Sequence, residues 1–199
     1  MSKTRLPRLK SLCVFCGSSP GADPRFRDAA ARLGRALADE GVQLVYGGGQ
    51  LGMMGALAEA VMAAGGRVIG IIPEHLTRIE KAYAGITELR VVDSMHSRKE
   101  QMFSLADAFA VLPGGMGTMD ETFEVLTWKQ LRLHGKPIVI VNQFGFWQPW
   151  LDLAGHVIAN GFAHPDTARL YSVVDDVDDV LATARSGIAS IAGGEPKLF

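Results

Sequence analysis

Residues 112–121, Leu-Pro-Gly-Gly-Met-Gly-Thr-Met-Asp-Glu, constrain the fold more than any other stretch of the chain. An apolar run, 108–112, halts at Pro113; three glycines follow within four residues, and a helical pattern begins at Thr118. A strand that turns on glycines into a helix is how an α/β protein brings backbone N–H groups up to a phosphate. Glycine serves there because a Cβ would obstruct both the tight turn and the close approach of a ligand.

The same pattern recurs along the chain. Residues 11–16 read as a first strand. Asp23-Pro24 then reads as the N-cap and first position of a helix carrying Phe26, Ala29, Ala30, Leu33, Leu37 and Ala38 at helical spacing, ended by Gly41. A second strand is expected at 42–46, a helix at 53–64 stopped by Gly65-Gly66, and a third strand at 67–72 closed by Pro73. The weakly patterned stretch 74–87 is expected to be a loop or short helix, and such stretches in compact domains are often functional. Further on, strands are expected at 88–92, 108–112, 137–141 and 171–174. Helices are expected at 97–107, from Thr118 to 133 or 134 with Gly135 as the stop, at 146–161, and at 175–186. Alternating strands and helices predict an α/β fold, a parallel sheet with helices on both faces. A length of 199 residues predicts a single domain over 1–199, with 1–10 and 193–199 as flexible tails.

Charge narrows the partners. With 20 basic and 21 acidic residues the net charge is -1, which argues against a duplex nucleic-acid binder. An anionic ligand must therefore be held by local groups. No stretch is long enough to span a membrane, and the basic residues among the first ten are not followed by a signal-peptide core, so a cytoplasmic protein is expected. Cys13 and Cys16 are the only cysteines. Their C-x-x-C spacing falls inside a strand, where residues three apart face opposite sides, so they read as buried, inert thiols. The five histidines show no metal-ligand spacing.

Two further motifs carry chemistry. Gly47-x-Gly49-x-x-Gly52 matches the dinucleotide fingerprint, and Glu74 stands about 20 residues on, where the ribose-binding acid belongs, so a dehydrogenase is a rival reading. The motif follows the second strand rather than the first, and packing alone is the other explanation for its glycines. Neither glycine loop continues into the Gly-Lys-Ser/Thr of a P-loop. Thr118-x-x-Glu121 and Ser97-x-x-Glu100 are capping-box patterns. Glu121 near a helix start is favoured as the anion, hence as a base or a stabiliser of developing positive charge. Arg98 and Lys99 place two cations where the helix dipole disfavours them, a conflict that a bound anion would remove; a solvated basic pair is the other explanation.

Taken together, Gly47-Gly48-Gly49-x-x-Gly52-x-Met54-Gly55, Ser97-Arg98-Lys99 and Pro113-Gly114-Gly115-x-Gly117-Thr118-x-x-Glu121 closely resemble the signatures of the LONELY GUY family. Its members are cytokinin riboside 5′-monophosphate phosphoribohydrolases, some labelled lysine decarboxylases. The resemblance covers roughly 11–174. It implies a Rossmann-like fold, a homodimer, no metal or nicotinamide cofactor, and cleavage of an adenine nucleotide 5′-monophosphate into free base and ribose 5-phosphate. It also implies that Arg98 and Glu121 are the catalytic pair. Lys99, Gly114, Gly115, Met116, Gly117, Thr118, Met119, Asp120 and Thr127 would contact the nucleotide, and Glu80 would reach its base end. Ser18 and the loop glycines Gly48, Gly49 and Gly52 would wall the same crevice. Asp120 stands where the family commonly has glutamate. The expected mechanism has the phosphate on the 114–118 turn, Glu121 acting on water and on an oxocarbenium-like ribose, and Arg98 at either the phosphate or the departing end. A general AMP nucleosidase, a non-catalytic nucleotide binder and a dehydrogenase are the alternatives. A pyridoxal-phosphate decarboxylase would need a Schiff-base lysine beside its cofactor, and no lysine has that setting.

Overall fold

Runs such as Ile138-Val139-Ile140-Val141 are apolar at every position, which suits strands buried on both faces rather than on one. A computed structural model of the protein describes residues 8–192 and contains seven strands, the two outermost less buried than the five between them. They are β1 (Ser11–Phe15), β2 (Gln43–Tyr46), β3 (Val68–Pro73), β4 (Glu88–Val92), β5 (Ala108–Val111), β6 (Ile138–Val141) and β7 (Ser172–Val174). All pair in parallel, in the order β4-β3-β2-β1-β5-β6-β7. The chain leaves β1 toward one edge and returns to β5 on its other side, with Leu12 opposite Ala108 and Phe15 opposite Val111. The crevice beyond the ends of β1 and β5 is thus the topological switch point, where open α/β sheets bind ligands.

Six helices cover the sheet: α1 (Pro24–Asp39), α2 (Gly52–Ala63), α3 (Met95–Leu105), α4 (Met116–Gln130), α5 (Gln148–Ala159) and α6 (Val180–Ala192). α1, α2 and α6 pack on one face through residues such as Leu33, Leu37, Leu57, Val61 and Val180. α3, α4 and α5 pack on the other through Met102, Val125, Leu126 and Trp150. Each fully buried aliphatic or aromatic side chain here contributes about 1.5–3 kcal/mol. Cys13 belongs to the second core and Cys16 to the first; both are free and buried, on opposite faces as their spacing predicts.

Several helix ends differ from the sequence expectation, each for a local reason. Residues 9 and 10, expected as the end of a tail, are packed: Leu9 is buried, and the Lys10 and Ser11 amides donate to Asp107. Residues 1–7 and 193–199 lie outside the described residues. α1 is capped by Asp23 as expected. α3 is capped by Ser94, whose Oγ accepts from the Ser97 amide, and not by Ser97. Arg98 and Lys99 therefore fall past the first turn, which relieves most of the expected conflict with the helix dipole. α4 begins at Met116 with Gly115 at its N-cap, and it ends at Gln130 rather than at 133 or 134. Its end is a Schellman motif, with Leu133 N–H donating to Trp128 O and Arg132 N–H to Lys129 O. Arg132 takes the left-handed conformation, φ 61°, usually left to glycine. The final helix starts later and runs further than 175–186.

Candidate active site

The turn after β5 is held against the end of β1. Leu112 N–H donates to Phe15 O, and Gly17 N–H donates to Pro113 O. Gly114 lies so close that a Cβ there would stand 2.9 Å from the Gly17 amide nitrogen. α4 then begins with no side-chain cap. The Thr118–Glu121 capping box does not form, since Thr118 sits within the first turn, buried. The unsatisfied N–H groups of a helix start, with the dipole behind them, favour an anion there.

A cavity of about 240 Å³ opens at this point. Gly115, Met116, Gly117 and Thr118 from the α4 start line one side, with Asp120 and Glu121 one turn further. Ser18 and its neighbours after β1 form another side, and Gly47, Glu80 and Arg98 face them. Cys16, Met54, Met95 and Met102 complete a soft apolar wall, of which the motifs had not singled out Met95 and Met102.

Arg98 is only 5% exposed. Its Nη2 donates to Gly47 O at 3.0 Å and lies 3.5 Å from Glu80 Oε2, while its buried Nε has no partner. Glu121 forms no hydrogen bond or ion pair with another described residue. Burial pushes its carboxyl up to about 7, against the pull of Arg98 and Lys99; Asp120 and Glu80 add to the rise. The expectation of a dipole-stabilised anion is corrected accordingly. Glu121 lies beyond the first turn of α4, where the dipole has faded, and desolvation dominates. A carboxyl that titrates near neutrality can take a proton and return it.

The structure brings together Arg98, Glu121, Glu80, Ser18 and the 115–118 turn with Asp120, and leaves other predicted residues outside the cavity. Lys99 is turned into a clamp, its Nζ 2.7 Å from Asp120 and 3.5 Å from Glu124. Thr127 is exposed further along α4, and Gly114 and Met119 do not line the cavity. Gly48, Gly49 and Gly52 do not line it either. The Gly48 carbonyl accepts from Tyr83, Gly49 abuts Glu80, and Gly52 abuts the Ser18 backbone. The start of α2 is occupied by protein, because the Met53 and Met54 amides both donate to Gly17 O. The loop after β2 thus presents its helix start to Gly17 O, and Gly48, Gly49 and Gly52 face protein. Among the described residues no group of three or more His, Cys, Asp or Glu is placed to hold a metal.

An open parallel sheet with one uncapped helix start at its switch point defines a Rossmann-like α/β protein with an anion site beside a buried arginine and a solitary carboxyl. Known proteins of this build match. A family model described as "Possible lysine decarboxylase" matches residues 54–184. The cytokinin riboside 5′-monophosphate phosphoribohydrolase of Rhodococcoides fascians is 46% identical over 181 residues, 90% of this chain and 91% of that one. The rice (Oryza sativa subsp. japonica) cytokinin riboside 5′-monophosphate phosphoribohydrolase LOG is 43% identical over 166 residues, 83% and 69% of the two chains. The molybdenum cofactor carrier protein of Chlamydomonas reinhardtii has the same fold, with a TM-score of 0.68 at 20% identity over 92% of this chain and 99% of that one. The chain belongs to the LONELY GUY family.

Proposed function

We propose that this protein hydrolyses the N-glycosidic bond of cytokinin riboside 5′-monophosphates, releasing the free base and ribose 5-phosphate. The observation that carries this reading is the unpartnered carboxyl of Glu121, facing the same cavity as the uncapped start of α4 and the buried Arg98. The identity to relatives named for this activity supports it. The nucleotide phosphate takes the amides of the 115–118 turn. As the bond between the ribose anomeric carbon and the purine nitrogen breaks, positive charge grows on the sugar, and the Glu121 carboxylate opposes it. Glu121 accepts a proton from the attacking water, whose oxygen bonds to the anomeric carbon; the purine leaves with the bonding pair and takes up a proton. Arg98 sits deep in the cavity and anchors the bound nucleotide, while Glu80 holds Arg98 from the side.

A decarboxylase reading lacks its nucleophile, because no lysine among the described residues lines the cavity and Lys99 is locked between two carboxylates. A dinucleotide reading lacks its helix start, which Gly17 O occupies. The reading includes a cytoplasmic homodimer. Phe123, Leu131 and Leu133 on and after α4 are 48–67% exposed, an apolar face that a second copy would cover. No helix among the described residues is long and apolar enough to cross a membrane.

The test is incubation with AMP and with N6-isopentenyl-AMP, followed by separation of free base and ribose 5-phosphate. Release from the substituted nucleotide supports the reading. Release from AMP alone assigns a general nucleosidase, and release from neither removes the enzyme. Sedimentation at micromolar concentration reads the dimer, and a monomer would remove that part.

A further inference from the structure

The glycines of the loop after β2 are small for different reasons. Gly48 and Gly52 adopt φ of 79° and 61°, a backbone that suits glycine whatever surrounds it. Gly47 does not lie in that left-handed region, so its backbone is open to any residue. Space is what excludes a side chain there. A Cβ on Gly47 would overlap Arg98 Nη2 and stand 3.2 Å from its Cζ. The remaining one of its three nearest atoms is Met54 Sδ at 3.1 Å, the far part of a flexible side chain that can give way. The same residue supplies the Arg98 acceptor, since its carbonyl takes the Nη2 hydrogen bond at 3.0 Å.

We infer that Gly47 is a positioning residue for Arg98: its missing side chain makes room for the guanidinium, and its carbonyl, with the Glu80 carboxylate, fixes the direction in which that guanidinium meets the cavity. A buried cation needs such a seat. Its charge must be paired and its donors accepted, or the side chain swings to solvent. The loop after β2 and the strap at 74–87 supply one contact each, and Gly49 lets the strap come in, with Glu80 O 3.2 Å from where its Cβ would stand. A motif shaped like a dinucleotide fingerprint thus builds the socket of an arginine.

The kinetic part of this inference rests on the hydrolase reading; the geometric part does not. Three variants test both: Gly47→Ala, Arg98→Lys, which lacks the branch that carries Nη2, and the double variant. In a crystal structure of Gly47→Ala, the Arg98 guanidinium should lie beyond hydrogen-bond reach of carbonyl 47. An Arg98 still bonded there overturns the inference, whatever the activity. In the assay, Gly47→Ala should lower kcat/KM by about 10²-fold, the scale of an ångström-sized misplacement. The double variant should be no slower than Arg98→Lys alone, because both changes act through one group. Losses that multiply would mean that Gly47 acts elsewhere, and would overturn the proposal. Should Gly47→Ala fail to fold, the double variant should fold, since the overlapping atoms are gone; failure of both also overturns it. If the wild type cleaves neither nucleotide, the hydrolase reading falls while the crystallographic outcome still decides the role of Gly47.

Discussion

Arg98 Nη2 lies 3.5 Å from Glu80 Oε2, an ion pair between α3 and a strap, 74–87, that holds only a short 3₁₀ turn and an isolated bridge. The side chains are 6% and 18% exposed, so the cation has exchanged water for one carboxylate, one carbonyl and the Met95 sulfur. Glu80→Gln removes the counter-charge and keeps the shape. It should destabilise the fold by up to about 3 kcal/mol, the low end for breaking a buried pair. Amide exchange should accelerate over 77–87 more than over the sheet. Urea unfolding and hydrogen exchange read the two effects, and an unchanged strap would mean that other contacts hold it.

Glu121→Gln is the direct test of the proposed base. The amide keeps the volume and cannot accept the proton. Base release should fall by about 10²–10⁴-fold, the usual worth of a positioned acid–base group. AMP affinity by titration calorimetry should stay within a few-fold, since the phosphate contacts lie on the turn before it. Undiminished release would move the chemistry to another residue.

The pH profile follows from the same carboxyl. With Glu121 titrating at about 7 and the carboxylate as the working form, kcat/KM should be low at pH 5, rise through neutrality and level off above. Arg98 and Lys99 lower this value, while burial, Asp120 and Glu80 raise it. Lys99→Met removes one of the two cations, so the midpoint should move up. A midpoint that stays or falls would show that Lys99 is not felt at the carboxylate.

Acid stability should report a site far from the cavity. Arg32 hydrogen-bonds Asp176 and holds its carboxyl down at about 2, with help from the Asp178 amide and Gln143. A depressed carboxyl stabilises the fold above its unfolded value of 3.8 and loses that contribution as pH falls through about 2. Asp176→Asn should lower the melting temperature at pH 6, and the gap to wild type should close between pH 4 and pH 2. A gap that does not change with pH would assign the effect to packing.

Most of the sheet was legible because its strands are continuous apolar runs cut by glycine or proline, which is why β1 to β7 fall within a residue or so of the expected bounds. Helix starts were less legible where serines compete. Ser94 and Ser97 both suit a cap, and only the fold shows that Ser97 supplies the amide instead. The end of α4 was misplaced because Arg132 adopts a conformation that residue type disfavours, stabilised by two hydrogen bonds to carbonyls of the last turn. In the cavity, Arg98 and Glu121 stood out from their motifs, but their environments did not. Burial of Arg98 comes from residues 51 and 18 positions away in sequence, and the raised carboxyl comes from desolvation, which periodicity does not encode.

The Gly17 carbonyl that receives two amides from the start of α2 has a consequence for anyone wishing to repurpose this scaffold. Grafting cofactor-selective residues around Gly47–x–Gly49 would achieve nothing while that oxygen plugs the pole of the helix. The route to a pyrophosphate runs through rebuilding the 17–21 bend first, so that the Met53 and Met54 amides are released to a ligand.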